Sequence, residues 1–419
     1  MRPWYKNLAW PVVLAWVALV AIGLTAIYSA THGPAREFLL LSVQQNFNRQ
    51  VQWFVISAAV MGAVLLTPAR LIMRLAPLAY AGGIGLLLAT LALGEEINGA
   101  RAWLRIGPAT LQGGELARIG TLLLATSLLS RKEARQGKLS YLLAAGGAIV
   151  LPVVLLVAAN DTGTGLPYLA MIPALLFWSG TVPLPWLALL LAPAVAGYLV
   201  IVNPAYAALF ALVFTAGMLV YARSKVMAAL GFLATAGVSV LAYIGLFRVL
   251  QPHQIARIVA FDNPEAFRET AGFHVIQAKA AIGSGGLFGK GFTNGTQTQL
   301  AYIPEQSTDF IFCVIGEEFG FVGAMILLGL FGFLLIRLTA LGMQASFALP
   351  RLFIAGLTGM WLTHILINIG MTIGLMPVIG IPLPFVSYGG SALLANTTML
   401  AIALNLHARR DEFAVYRAE

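Results

Sequence analysis

Long apolar runs separated by short polar gaps make up most of this chain. About 20 apolar residues suffice for a helix to cross a hydrocarbon core of about 30 Å. Such runs predict helices near 8–29, 51–68, 75–94, 112–130, 140–158, 163–180, 184–202, 205–221, 227–247, 309–337, 351–374 and 385–407. The expected fold is all-α: a polytopic membrane helix bundle forming one integral domain over 1–419. The run from Leu8 to Ser29 exceeds the roughly 7–15 apolar residues of a signal-peptide core, so it reads as a retained first helix. Thr31 to Gln50 mixes Phe38, Leu39, Leu40, Leu41 and Val43 with Gln and Asn, which fits an interfacial amphipathic helix or a connecting loop. One long polar interval breaks the pattern, from Arg248 to Gly323. It holds seven of the 16 acidic residues, between Asp262 and Glu318.

Composition sharpens the class. The 419 residues are 59% hydrophobic and 10% charged, against about 25% charged in soluble domains. The single cysteine, Cys313, excludes an intramolecular disulfide framework. The net charge of +9 does not call for nucleic acid, because most basic residues sit in the gaps between apolar runs. These are Arg2 and Lys6; Arg70 and Arg74; Arg131, Lys132, Arg135 and Lys138; Arg223 and Lys225; Arg337 and Arg351; Arg409 and Arg410. If each predicted helix crosses once, all these gaps share one side, the cytoplasmic one, together with both termini. The opposite side then carries 30–50, 95–111, 160–162, 203–204, the long loop 248–308 and 375–384.

Candidate chemistry gathers on that opposite side. Asp309 stands where a polar loop meets an apolar helix. It fits a helix cap and equally a partly desolvated base that takes a proton from a substrate hydroxyl. Glu317 and Glu318 follow. Adjacent helical residues diverge by about 100°, so the two do not face one site. The run Ala281 to Gly291 is glycine-rich and flanked by Lys279 and Lys290, but lacks the GxxxxGK[ST] pattern of a nucleotide loop. It remains either a surface loop or a cradle for another phosphate. Glu115 and Arg118, spaced i, i+3, either pair with each other or line a cavity. Asp161 is a third acid on this side. His364 and Asn368, spaced i, i+4 on an apolar helix, suit interhelical hydrogen bonds. No His/Cys cluster has metal-ligand spacing.

Several blocks in order carry a resemblance. They are NGARAWLRIG with LQGGELARI, NDTGTG, GFHVIQAKAAIGSGGLFGKGF, GTQTQL, PEQSTDFIFCVIGEEFGFVG and NIGMTIGLMPVIGIPLPFVSYGGSAL. Together they resemble the SEDS family (shape, elongation, division and sporulation proteins), and within it the rod-shape-determining RodA branch. The resemblance implies a peptidoglycan glycosyltransferase of the bacterial inner membrane that polymerises lipid II into nascent glycan. It also implies work with a class B penicillin-binding protein in the elongation machinery. The family's essential aspartate corresponds to Asp309, and its outer-facing acid and base to Glu115 and Arg118. The sequence departs from the family at Ala102, Gly113, Gly114, Arg118, Asn160, Thr162 and Ser307. Twelve predicted helices against the family's ten suggest an extra pair within 203–247. On this resemblance a sugar hydroxyl attacks an anomeric carbon bearing a lipid pyrophosphate, so the site needs a base and positive charge. Asp309 is the expected base. Arg118, Arg101, Arg257, Lys279 and Lys290 are candidate phosphate partners, Glu115 and Asp161 are further candidates for substrate binding, and a divalent cation is a possible helper. Two other classes remain open: a flippase for lipid-linked precursors and a non-catalytic scaffold.

Overall fold

The computed structural model describes residues 4–97, 99–107, 109–248, 271–303 and 305–410. Each stretch predicted as a helix is helical. In chain order they are α1 (Trp10–His32), α2 (Asn46–Leu66), α3 (Ala76–Leu93), α4 (Gly113–Leu129), α5 (Leu139–Ala158), α6 (Thr162–Ser179), α7 (Leu184–Val202), α8 (Pro204–Tyr221) and α9 (Lys225–Arg248). After these come α10 (Ala271–Ser284), α11 (Ile311–Glu318), α12 (Gly320–Gln344), α13 (Ala348–Thr372) and α14 (Gly390–Ala408). Among the described residues, ten helices are long and apolar enough to cross a membrane, so this is a multi-pass membrane protein. The span expected at 309–337 is broken: α11 ends at Glu318, and α12 starts at Gly320, whose φ is +66°.

The described chain divides into two compact units. The larger comprises Met1–Ser179, Gln277–Ile373 and Ile379–Glu419. Its centre is α13 and α14, with 72% and 83% of their spans buried against 17% for α2 and α3. Polar side chains lock these central helices, which is how helices associate where lipid removes the hydrophobic drive. Trp361 donates its indole N–H to Asn396 Oδ1 at 2.8 Å, and Trp16 donates to Thr397 Oγ1 at 3.2 Å. Asn405 donates to the carbonyls of Val64 and Thr67 at 2.7 and 2.8 Å, tying α14 to the end of α2. The smaller unit comprises Gly180–Ile276 and Gly374–Val378. Within it α7, α8 and α9 pack on one another, Met218, Met227 and Ala228 form a small core between α8 and α9, and the Tyr198 hydroxyl donates to Leu375 O at 2.7 Å.

Two intervals differ from expectation. The segment 95–111, read as a loop, is an antiparallel sheet in the order β1 (Glu95–Ile97), β2 (Ala100–Ile106), β3 (Ala109–Gln112). Trp103 pairs with Gln112 and Arg105 with Thr110. Helix α2 begins at Asn46 rather than 51. Its first turn is polar because Asn46 and Gln50, one turn apart, are buried against the loops that hold Asp309.

Candidate active site

Asp309 lies in the turn 305–310 leading into α11 and is partly exposed. The residue before that helix is Phe310, and no side chain caps it. Backbone groups fix the turn from several directions. The N–H of Tyr388 donates to Ser307 O at 2.8 Å, the Ser387 hydroxyl to Thr308 O at 2.6 Å, and the Asn368 amide to Asp309 O at 2.9 Å. Three consecutive carbonyls are thus held in place. Asn46 donates to Ser307 Oγ at 3.2 Å, and Gln306 to Ala30 O at 3.1 Å. Gln50 braces the opposing loop, donating to Ser387 O at 3.2 Å and accepting from Gly389 N–H at 3.1 Å. Gly380 lies beside the carboxylate. Its φ is +79°, and a Cβ there would stand 3.1 Å from Asp309 Oδ2. Only glycine meets both demands without strain.

The second group is buried in the bundle. Glu115, in the first turn of α4, forms an ion pair with Arg118, with side-chain exposures of 1% and 0%. Their i, i+3 spacing puts them on one helix face. Arg118 also reaches His364 Nε2 on α13 at 3.3 Å, and its guanidinium lies 6.0 Å from the Tyr168 ring centre. The Tyr168 hydroxyl donates to Gly114 O at 2.5 Å. Burying two charges is tolerable only because they are paired and further bonded. Next to this pair Asp161 accepts from the N–H and hydroxyl of Thr164 at 3.3 and 2.7 Å, as an N-cap of α6 would. Gln112 donates to Asp161 Oδ2 and Thr164 Oγ1, both at 2.9 Å.

Other candidates are separate from these groups. Glu317 is the hub of the glycine-rich loop. It accepts from Lys290 Nζ at 2.8 Å, from the N–H of Thr296, Gln297 and Thr298 at 2.7, 2.9 and 2.9 Å, and from the Thr298 hydroxyl at 2.8 Å. Burial alone would raise its pKa, but Lys290 and these loop donors outweigh burial and hold the carboxyl at about 2. Lys290 is therefore engaged in a structural ion pair. Gly289, at φ +79°, lies directly on the backbone of Glu318, so a side chain there would collide. Close approach, rather than a phosphate cradle, accounts for that part of the run. Glu318 turns away from Glu317, as the helical divergence predicts, to accept from Ser29 at 2.5 Å and Gln299 at 2.9 Å. Lys279 is exposed on α10. Arg101 is exposed on β2, 3.6 Å from Glu96. Arg257 lies outside the described residues. Among the described residues no three His, Cys, Asp or Glu side chains cluster as metal ligands would.

Asp161, held by Gln112 and Thr164, thus lies near the separate Glu115–Arg118 pair, while Asp309 is held a turn further along α13 by Asn368. Sequence reasoning missed Ser387, Tyr388, Gly380 and Tyr168. The PLPFVSYGG block stands out as a pattern, but nothing in its sequence tells that the Ser387 hydroxyl and the Tyr388 N–H grip the Asp309 turn. The pattern of the FtsW, RodA and SpoVE proteins, described as cell cycle proteins, matches residues 9–202 and 183–412. The chain belongs to this family. Within the family, the peptidoglycan glycosyltransferase RodA of Treponema pallidum is 30% identical over 95% of this chain and 97% of its own length. The peptidoglycan glycosyltransferase MrdB of Escherichia coli K12 is 33% identical over 86% of this chain and 85% of its own. A solved structure on the coordination of polymerization and crosslinking by a peptidoglycan synthase complex is similar with a TM-score of 0.72. It has 28% identity and covers 96% of this chain and 98% of that one. The rod shape determining protein RodA of Thermus thermophilus gives a TM-score of 0.62 at 28% identity, over 96% and 97% of the two chains.

Proposed function

We infer that this family member is a peptidoglycan glycosyltransferase that joins lipid II into glycan strands during cell-wall elongation and shape maintenance. The relatives' activity supports the reaction, and the posture of Asp309 supports the residue assignment. That carboxylate is partly exposed, its turn is held by Ser387, Tyr388 and Asn368, and Gly380 leaves room beside it. The hydroxyl of one sugar attacks the anomeric carbon of the donor. The bond from that carbon to the pyrophosphate oxygen breaks, its electron pair leaves with the lipid pyrophosphate, and the hydroxyl proton passes to Asp309. A positioned base of this kind contributes roughly 10²–10⁴-fold.

The developing pyrophosphate charge calls for cations. Exposed Arg101 and Lys279, together with Arg257, are the candidates for direct contact. Arg118 and Lys290 already hold carboxylates, so they contribute positive field or trade partners when substrate arrives. Glu115 and Asp161 keep Arg118 and Gln112 oriented. A divalent cation bound to the phosphates themselves would share this work, and loss of rate with a chelator is its test. The basic gaps support a cytoplasmic location for both termini and the outer face for the 248–308 loop and Asp309. Similarity to a synthase that couples polymerization with crosslinking supports a class B penicillin-binding protein as partner. The test is reconstitution of purified protein with lipid II. Wild type is expected to release lipid pyrophosphate and form glycan, and Asp309→Ala to form none. Lipid II crossing the bilayer without glycan formation, in wild type with its partner, would favour a flippase instead.

A further inference from the structure

Asn368 and His364 lie one turn apart on α13, about 6 Å along its axis, and each touches a different half of the site. Asn368 donates one amide hydrogen to Asp309 O at 2.9 Å and the other to Ile381 O at 2.7 Å. Both donors are spent on carbonyls, which fixes the amide orientation. The same side chain therefore binds the turn carrying Asp309 to the loop carrying Gly380. Four residues earlier, His364 Nε2 meets Arg118 Nη1 at 3.3 Å. Arginine offers only donors, so His364 must accept there, as a neutral imidazole with its proton on Nδ1. Both side chains are buried, at 1% for His364 and 0% for Asn368. Their Nδ1 and Oδ1 atoms have no partner among the described residues. Carrying such polar atoms inside an apolar helix is expensive, and packing alone does not require it.

We propose that this polar turn of α13 is a positioning element that sets the Asp309 turn in register with the Arg118–Glu115 pair. A rigid helix turn fixes the spacing between the proton acceptor and the guanidinium that stands by the departing charge. His364 and Asn368 act through Arg118 and Asp309 and need not touch substrate. The proposal rests on the assignment of Asp309 as the base.

Initial rates of lipid II polymerisation by the purified full-length protein test it, with thermal unfolding measured in parallel. Asn368→Ala is expected to lower kcat about 10–100-fold, the scale of a small misplacement, with KM within about threefold and an unfolding midpoint close to wild type. His364→Gln, which keeps an acceptor for Arg118, is expected to retain most of the rate, whereas His364→Leu loses it. The double variant Asn368→Ala/His364→Leu is expected to fall well short of the product of the single losses, because either change alone already breaks the register. Full multiplicativity, wild-type kcat in Asn368→Ala, or equal rates for the Gln and Leu variants of His364 would each overturn the proposal. If Asn368→Ala does not fold, the Gln and Leu comparison at His364 decides. Asp309→Ala, assayed alongside, separates the two ideas. Activity retained there would remove the base assignment, whereas a silent Asn368→Ala with an inactive Asp309→Ala would remove only the positioning role.

Discussion

At the residue scale the site depends on backbone placement as much as on the carboxylate. The Asp309 turn carries no apolar anchor of its own between Glu305 and Asp309, so its shape comes from the hydrogen bonds to its carbonyls. Gly380 is the most sensitive neighbour. Gly380→Ala adds a methyl beside the carboxylate and forces a left-handed backbone on a residue that resists it by about 1–2 kcal/mol. It is expected to lower kcat about tenfold or more while the protein stays folded, as measured by polymerisation rate and thermal unfolding. Asp309 itself was legible, because an acid at the mouth of an apolar helix is rare in a chain with 16 acidic residues. The partners of Asp309 were not, since serine, tyrosine and glycine in a distant loop carry no periodic signal.

At the element scale the glycine-rich loop is tied down by one carboxylate. The folded Glu317 carboxyl is held at about 2, below the ordinary 4.5. A lowered folded pKa stabilises the folded loop above the ordinary value, and that contribution fades as pH falls from 4.5 toward 2. Amide protection factors in 284–299, with the intrinsic pH dependence of exchange divided out, are expected to be unchanged from neutral pH down to about 5 and to fall through that window. Glu317→Gln, which cannot form the ion pair with Lys290, should show the lowered protection already at neutral pH. The helices invite a different experiment. Their periodicity and length located every span, but the break at Gly320 was invisible because glycine recurs inside these apolar helices and Glu317 and Glu318 read as residues of the same continuous helix. The surplus read at 203–247 corresponds to α8 and most of α9, and the two family matches overlap in α7. Removing two crossings preserves the inside–outside parity of everything that follows. Excision of 203–247 with a short linker is therefore expected to leave a folded enzyme that still polymerises lipid II. Loss of activity in a folded deletion would make this pair part of the catalytic machinery.

At the scale of the whole molecule an outward-facing Asp309 requires one orientation in the membrane. It sets Lys279 outside and Lys132 inside. Cys313 is the sole native cysteine and is buried, so single cysteines report cleanly. Lys279→Cys is expected to react with a membrane-impermeant maleimide on intact spheroplasts, and Lys132→Cys only after lysis. The reverse pattern would turn the bundle over. The bundle's buried centre, α13 and α14, was the least legible large-scale feature. Hydropathy ranks helices by their affinity for lipid, whereas these two are central because Trp361, Asn368, Asn396 and Asn405 bond to their neighbours.

The central claim is that Asp309 takes the proton of the attacking hydroxyl. Asparagine has the same shape and cannot accept that proton, so the initial rate of lipid II polymerisation by Asp309→Asn, at an unchanged unfolding midpoint, tests it most directly. A loss of about 10²-fold or more is expected. A rate within about threefold of wild type, against the loss expected for a base, would contradict it.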